Sequence, residues 1–399
     1  VEWYSSPNKE WREDCSSVLN LTRFSLDLMG LWPCEDRSPI SIFFRQHRVT
    51  FVAALLILVY TLPQSYAIYL VRSDPNLVIN GVSMAPTMVI SVFTFFTLSR
   101  HKKGILEMIQ IMVNDWLTEK TSWERKVMRK QAARARILLI IGFMLLLECG
   151  VNFTLLPFLG IAPRILNNIT DPGMDRGRFL PTQVAFPFDV ISSPRFEVMY
   201  ILTCLAGSAD AMGDLLPVML FATAVFHASG QYEILGTKML HLFDDVGGDG
   251  GKDKSNFQAR LKLVVNDQTR LHRLMSLTND MIEMILLAQI LGLAVSTILL
   301  GFDGIQMMFT DDGSMTLGGI LGSGEAVVME MYLILVYCIA NEVYIHHSQR
   351  CADYIYSSAW YTVTASYSKD VTKIMAFSQS AVEISVGGFN GLSLNTFLQ

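Results

Sequence analysis

The sequence predicts an all-α, polytopic membrane protein, a helical bundle whose amino terminus lies in the cytoplasm. Apolar stretches of bilayer-spanning length recur six times. Lys and Arg crowd into alternate segments between those stretches. Hydrophobic residues make up 51% of the 399-residue chain against 17% charged, the balance of a chain whose helices are apolar on most sides.

The apolar runs lie near 49–71, 78–98, 137–160, 196–226, 282–302 and 317–345. Each is at least as long as the roughly 20 residues a helix needs to cross about 30 Å of hydrocarbon. The segment ahead of the first run ends in Arg45, His47 and Arg48. Segment 99–136 carries ten Lys or Arg and 227–281 carries seven more. By contrast, the loop after the first run has none beyond Arg72, and 303–316 has none at all. Segment 161–195 holds four, offset by Asp171, Asp175 and Asp189. Basic loops stay cytoplasmic, so the chain starts inside and the three poorly charged loops face outward.

Composition narrows the function. The net charge of −5 averages basic loops with acidic residues elsewhere, and no basic patch with interleaved aromatics points to nucleic acid. The 21 methionines suit a bundle with adaptable packing surfaces. No cleavable signal peptide is visible, so the first apolar run is expected to act as the insertion signal. Cys15 and Cys34 fall in the cytoplasmic tail, Cys149, Cys204 and Cys338 inside apolar runs, and Cys351 on the cytoplasmic side. No structural disulfide is expected from that placement. His346 and His347 are adjacent, and neither a Cys pair nor a His pair has zinc spacing. No metal, no cofactor and no enzymatic activity are expected, since no nucleophile–His–acid set or phosphate loop appears.

Ahead of the first run, Val18, Leu21, Phe24, Leu28 and Leu31 recur at helical spacing and Gly30 and Pro33 close the pattern, with Trp32 as an interfacial anchor. This reads as an amphipathic helix lying on the lipids of the inner leaflet, or packed on the cytoplasmic ends of the bundle. A second stripe, Leu261, Val264, Val265, Leu271, Leu274, Met275, Met281 and Ile282, leads straight into the fifth run. One helix from Gln258 to Phe302 would be roughly 65 Å long, well beyond the hydrocarbon core, and 247–254 reads as the flexible break before it. Amphipathic stretches at 348–360 and 369–386 complete a cytoplasmic platform. The last eight residues make only about 12 Å of helix, so either a seventh span continues beyond Gln399 or the protein has six.

Three stretches resemble the insect odorant receptor family: Met29-Gly30-Leu31-Trp32-Pro33; Tyr337-Cys338 with Asn341-Glu342, Ser348, Ala352, Tyr356 and Trp360-Tyr361; and Gly387-Gly388-Phe389 with Leu392-Ser393-Leu394 and Thr396-Phe397. Their order and end-to-end coverage make the match, and the inverted topology agrees. Ala340 departs from it, standing where a glycine is usual. The resemblance implies a seven-span, ligand-tuned subunit that assembles four-fold with shared co-receptor subunits into an odour-gated, non-selective cation channel. The last span, largely absent here, would line the pore. It also implies three regions: 1–48, the cytoplasmic amphipathic segment; 49–345, six spans with the odorant pocket; and 346–399, anchor helices and the start of the seventh span.

In this family small volatile odorants bind the outer half of the bundle, which here implies 82–88, 148–158, 200–214 and 320–332. Within those stretches Met84, Met88, Phe153, Tyr200, Met212 and Tyr332 offer polarizable or aromatic surface, and Gly150 and Gly207 offer room. Glu148, Asp210, Asp214, Glu325 and Glu330 lie in apolar runs that contain no Lys or Arg, and Asp210 and Asp214 share a helical face. Such acids either take up protons or border water, and are functional candidates. Asn168-Ile169-Thr170 is a glycosylation sequon in an outward loop. A gustatory-type ligand-gated channel and a proton-coupled transporter are the competing readings; the second would call for internal repeats, which are not seen.

Overall fold

The computed structural model describes residues 9–32, 39–155, 180–182, 184–190, 192–244, 251–309, 317–362, 365–379 and 384–388. Cys34, the Asn168 sequon and Phe389 onward lie outside them, as does the side chain of Met84. The described residues are nearly all helical, as the sequence predicts. The helices are α1 (Lys9–Leu28), α2 (Pro39–Leu55), α3 (Leu62–Leu70), α4 (Pro75–Arg100), α5 (Lys102–Leu117), α6 (Ser122–Gly150), α7 (Arg195–Leu240), α8 (Gly251–Phe309), α9 (Leu317–Tyr356) and α10 (Ala365–Gln379). Among them, six stretches are long and apolar enough to cross a membrane: His47–Leu70, Gly81–Arg100, Ser122–Thr154, Arg195–Leu240, Phe257–Phe302 and Val327–Tyr356.

Helix α7 is the axis of the bundle. It packs against α4, α6, α8 and α9, and 89% of its most apolar window is buried, against 11% for the third span. Its composition explains this: Ala, Gly, Ser and apolar residues occupy every side of the helix, so no face prefers water. The third span instead turns Ile137, Ile140, Ile141, Met144, Leu147 and Val151 outward, a stripe at helical spacing suited to lipid or a neighbouring subunit. On α9 three of the family-like residues, Tyr337, Asn341 and Ser348, fall on one buried face, while Glu342 and Tyr356 are exposed. Tyr337, Asn341, Tyr344, Ser348, Cys351 and Ile355 are all buried and recur every three or four positions, against α7.

Several segments read as loops are helices. Segment 99–136 contains α5, whose Ile105, Met108, Ile109, Met112, Val113 and Trp116 are buried, followed by the first turns of α6. Thr121 caps α6: its hydroxyl accepts from the Glu124 N–H (3.2 Å) while the Glu124 carboxylate accepts from the Thr121 N–H (2.7 Å), a reciprocal cap. Helix α7 runs on to Leu240 past the expected end at 226, and residues 251–254, read as part of a flexible break, are the first turn of α8. The long helix before Phe302 is present, at 59 residues. These extensions gather the basic segments at one end of the bundle, the basic end.

Helix α1 packs there along one side, which takes in part of the stripe read from the sequence and leaves the rest outside. Cys15, Leu19, Thr22 and Leu26 are buried, whereas Phe24 and Leu28 are 59% and 49% exposed. The hydroxyls of Thr22 and Thr223 are 3.1 Å apart, and Arg129 grips the Asp14 carboxylate through two nitrogens. These polar contacts rotate the helix, so Ser and Thr are covered and two large apolar residues are left outside. Burial pushes the Cys15 thiol up to about 12, and it packs as a small apolar side chain. The helix ends at Gly30 (φ 75°), with the Leu31 N–H bonded to the Leu26 carbonyl at 2.7 Å and the Gly30 N–H to that of Asp27 at 3.0 Å. A Cβ on Gly30 would lie 2.6 Å from that of Arg48, whose guanidinium donates to the Asp27 carbonyl. Gly30→Ala should therefore cost at least the roughly 1–2 kcal/mol of a left-handed residue, read as a lower unfolding midpoint in detergent; an unchanged midpoint would refute this account of the motif's glycine.

The first span widens into a π-helix at Leu56–Thr61, just before Pro63, which has no N–H to continue the ladder. The Thr61 hydroxyl donates to the Leu56 carbonyl (3.2 Å). This widening places the buried Tyr60 toward α7.

Candidate functional site

At the end away from the basic segments, a polar seam crosses the bundle. Gly213 lets α4 and α7 approach so closely that a Cβ there would lie 2.7 Å from Ser91 Cβ. Ser91 Oγ donates to the Asp210 main-chain carbonyl at 2.8 Å and stands 3.5 Å from Asp214 Oδ1. From α8, Gln289 donates to the Asp214 main-chain carbonyl (3.0 Å) and accepts from the Tyr337 hydroxyl of α9 (3.0 Å). Beyond it on α9 the Glu330 carboxylate accepts from Thr297 of α8 at 3.1 Å. Asp210 is 9% exposed, and its Oδ1 has no hydrogen-bond partner. Four helices thus meet around acids that no Lys or Arg of these spans accompanies.

Part of the segment read as an outer loop folds into the bundle. Leu180, Pro181, Val184, Ala185, Phe186 and Val190 are buried, with the Ala185 N–H bonded to the Pro63 carbonyl at 3.1 Å. The Tyr60 hydroxyl of the first span would be 3.8 Å from a Cβ on Gly207. This strap closes one side of the seam.

A family model described as 7tm odorant receptor matches residues 74–399. The chain belongs to the 7tm odorant receptor family. The solved insect olfactory receptor OR5 from Machilis hrabei, in complex with eugenol, superposes with a TM-score of 0.76 at 13% identity, covering 98% of this chain and 94% of that one. A second structure of the same receptor gives 0.72 at 14% identity over the same shares of the two chains. At such identity the likeness establishes the fold alone. No curated protein sequence matches the chain.

In this odorant receptor the residues named from sequence fall into two groups. Asp210 and Asp214 join the seam; Gly207 borders it beneath Tyr60, and Met88, one turn before Ser91, and Met212 are buried nearby in sequence. The second group lies toward α6. Tyr200 stacks on Phe196 (ring centroids 5.7 Å) and donates to the Thr154 carbonyl. Phe153 is half-buried in the adjoining π turn, and Gly150 is exposed with nothing within 4 Å of an added Cβ. Tyr332 lies against Gly142 and donates to the Leu138 carbonyl. Of the other acids, Glu148 is exposed and Glu325 accepts from Asn152 at 2.6 Å. Sequence reasoning missed Tyr60, Ser91, Gln289 and Tyr337, although polar residues inside apolar runs were the available signal.

A second polar cluster lies at the basic end of the receptor. The fully buried Asp115 of α5 forms an ion pair with Arg270 of α8, Oδ1 lying 2.6 Å from Nη1, and stands 2.9 Å from His227 Nε2 of α7. Burial pulls the Lys120 ammonium below its usual range, with nearby Asp115 opposing it. Arg273 holds the Glu107 carboxyl low through two hydrogen bonds, tying α5 to α8 again. A pocket of about 250 Å³, counted with the solvent at its mouth, is lined by Val18, Trp116, Met128, Thr223 and His227 among others. Thr223 is 13 residues along α7 from Asp210, about 20 Å, so this pocket is separate from the seam.

Proposed function

We propose that this odorant receptor is the ligand-tuned subunit of a non-selective cation channel, opened by small volatile molecules and assembled with shared co-receptor subunits. The observation that carries the reading is the family match over 74–399, and the Machilis hrabei receptor, solved in complex with eugenol, supports a small, largely apolar ligand. The ligand site comprises Met84, Met88, Gly150, Phe153, Tyr200, Gly207, Asp210, Met212, Asp214 and Tyr332. The basic end faces the cytoplasm of an olfactory sensory neuron, Asn168 carries a glycan, and α1 rests Phe24 and Leu28 on the inner leaflet. Region 1–48 is then the cytoplasmic segment, 49–345 the ligand-binding spans and 346–399 the anchor leading to the pore. Ligand in the outer bundle favours the conformation in which the pore is open.

Whole-cell recording under an odorant panel tests this, with the chain and any natural continuation expressed alone and with the co-receptor. Rapid odour-evoked cation current in co-expressing cells only is expected. Current from the chain alone would replace the heteromer with a homomer. Silence in both, at normal surface expression, would overturn the reading in favour of a transporter.

A further inference from the structure

We propose that this receptor is tuned to volatile amines, with Asp210 and Asp214 holding the protonated ammonium group and the apolar bundle holding the tail. The inference rests on the ligand-gated reading above and names its ligand class.

Asp210 and Asp214 are short of donors. Ser91 has one proton, and it goes to the Asp210 main-chain carbonyl at 2.8 Å, leaving the Asp214 carboxylate at 3.5 Å. Gln289 likewise spends its amide on the Asp214 main chain. Asp210 Oδ1 stays unpartnered in a side chain more than nine-tenths buried, a cost the bundle would not carry without something to receive that oxygen. The six apolar runs contain no Lys, Arg or His, so the complement has to come from elsewhere. A buried charge is tolerated when it is paired and hydrogen-bonded, and an alkylammonium brings three donors and no acceptor.

A bare metal ion fits less well: among the described residues no three acidic, His or Cys side chains converge closely enough to hold one. An amine needs only two carboxylates one helical turn apart and room beside them. Beside them stands Gly207, one turn before Asp210, where an added Cβ would meet only the Tyr60 hydroxyl, at 3.8 Å. Met88, buried one turn before Ser91, supplies deformable apolar surface for a short alkyl or aryl tail.

The test compares isopentylamine with isopentanol, which share a tail and differ in the charged head, on the full chain co-expressed with the co-receptor. Wild-type receptor should respond to the amine at lower concentration. Asp210→Asn should reduce the amine-to-alcohol potency ratio at least about 30-fold, the low end for truncating one partner of a desolvated charge pair, and Asp210→Glu should restore most of it. Equal potency of the two compounds on wild type, or an unmoved ratio in Asp210→Asn, overturns the proposal while leaving an odour-gated receptor intact. Silence toward amine, alcohol and eugenol alike at normal surface expression overturns the receptor reading as well. Should Asp210→Asn fail to reach the surface, Asp214→Asn gives the same ratio test, and the wild-type comparison alone still decides against the proposal if the potencies are equal.

Discussion

Asp115→Ala is expected to destabilise the protein by about 3–5 kcal/mol, the usual consequence of removing one partner from a buried ion pair. The carboxylate is wholly buried, and each oxygen serves a different helix: Oδ1 meets Arg270 of α8 at 2.6 Å and Oδ2 meets His227 of α7 at 2.9 Å. Alanine would leave the guanidinium and the imidazole facing a void with no acceptor between them. Arg270 is partly solvated and keeps Asp267 at 3.2 Å, so Arg270→Ala should cost less than Asp115→Ala. The double variant should cost less than the sum of the two, because the uncompensated charge is gone. Unfolding midpoints of detergent-solubilised protein, with surface expression as a cellular readout, give the cycle. Strict additivity would mean that the three side chains do not act together and that α5 is held to α8 mainly by its apolar face.

What was legible in the sequence is what periodicity and solvent preference encode over many residues. Six apolar runs, the extension of α8 beyond Phe302's span and the alternation of basic segments are properties of whole stretches, and the helices follow them. The segments misread as loops failed because charge was taken to mean loop. Segment 99–136 is rich in Lys and Arg, yet Ile105, Met108, Ile109, Met112 and Trp116 form a helical face that those charges hide only on average, and Thr121-Ser122-Trp123-Glu124 spells the cap that begins α6. The strap at 180–190 was legible too, since Leu180, Val184, Ala185 and Phe186 are poor residues for a solvated loop. Which side of α1 meets the bundle was not: lipid-facing and bundle-packed readings were both open, and only the tertiary partners Thr223 and Arg129 explain why Thr22 and Asp14 face the bundle while Phe24 and Leu28 stay outside. The seam was half legible. Paired acids in an apolar run stand out, whereas Tyr60 acquires its place from a local π widening, and Ser91 and Gln289 from which helix faces meet. Those are three-dimensional facts with no linear signature.

Gly213→Ala should both weaken the bundle and shift the ligand response to higher concentration. The added carbon would lie 2.7 Å from Ser91 Cβ and Oγ and 3.1 Å from Ser91 Cα, so rotating a side chain does not relieve it and the α4 main chain has to move. Overpacking of this kind costs typically about 1–3 kcal/mol. The displacement falls between Asp210 and Asp214 and separates Ser91 from the Asp210 carbonyl, so a shift in half-maximal ligand concentration of at least tenfold, equivalent to about 1.4 kcal/mol, is expected on top of any loss of surface protein. Gly301→Ala supplies the opposite sign: nothing lies within 4 Å of its added Cβ, and inside a helix alanine is favoured over glycine by up to about 1 kcal/mol. Ser91→Gly introduced with Gly213→Ala removes the two nearest atoms and should recover part of the stability. It should not recover the ligand response, because the hydroxyl that orders the Asp210 turn goes with them. Equal stability of the Gly213→Ala and Gly301→Ala variants would mean that α4 and α7 do not meet at this point, and the seam would lose the contact that brings its acids and Ser91 together.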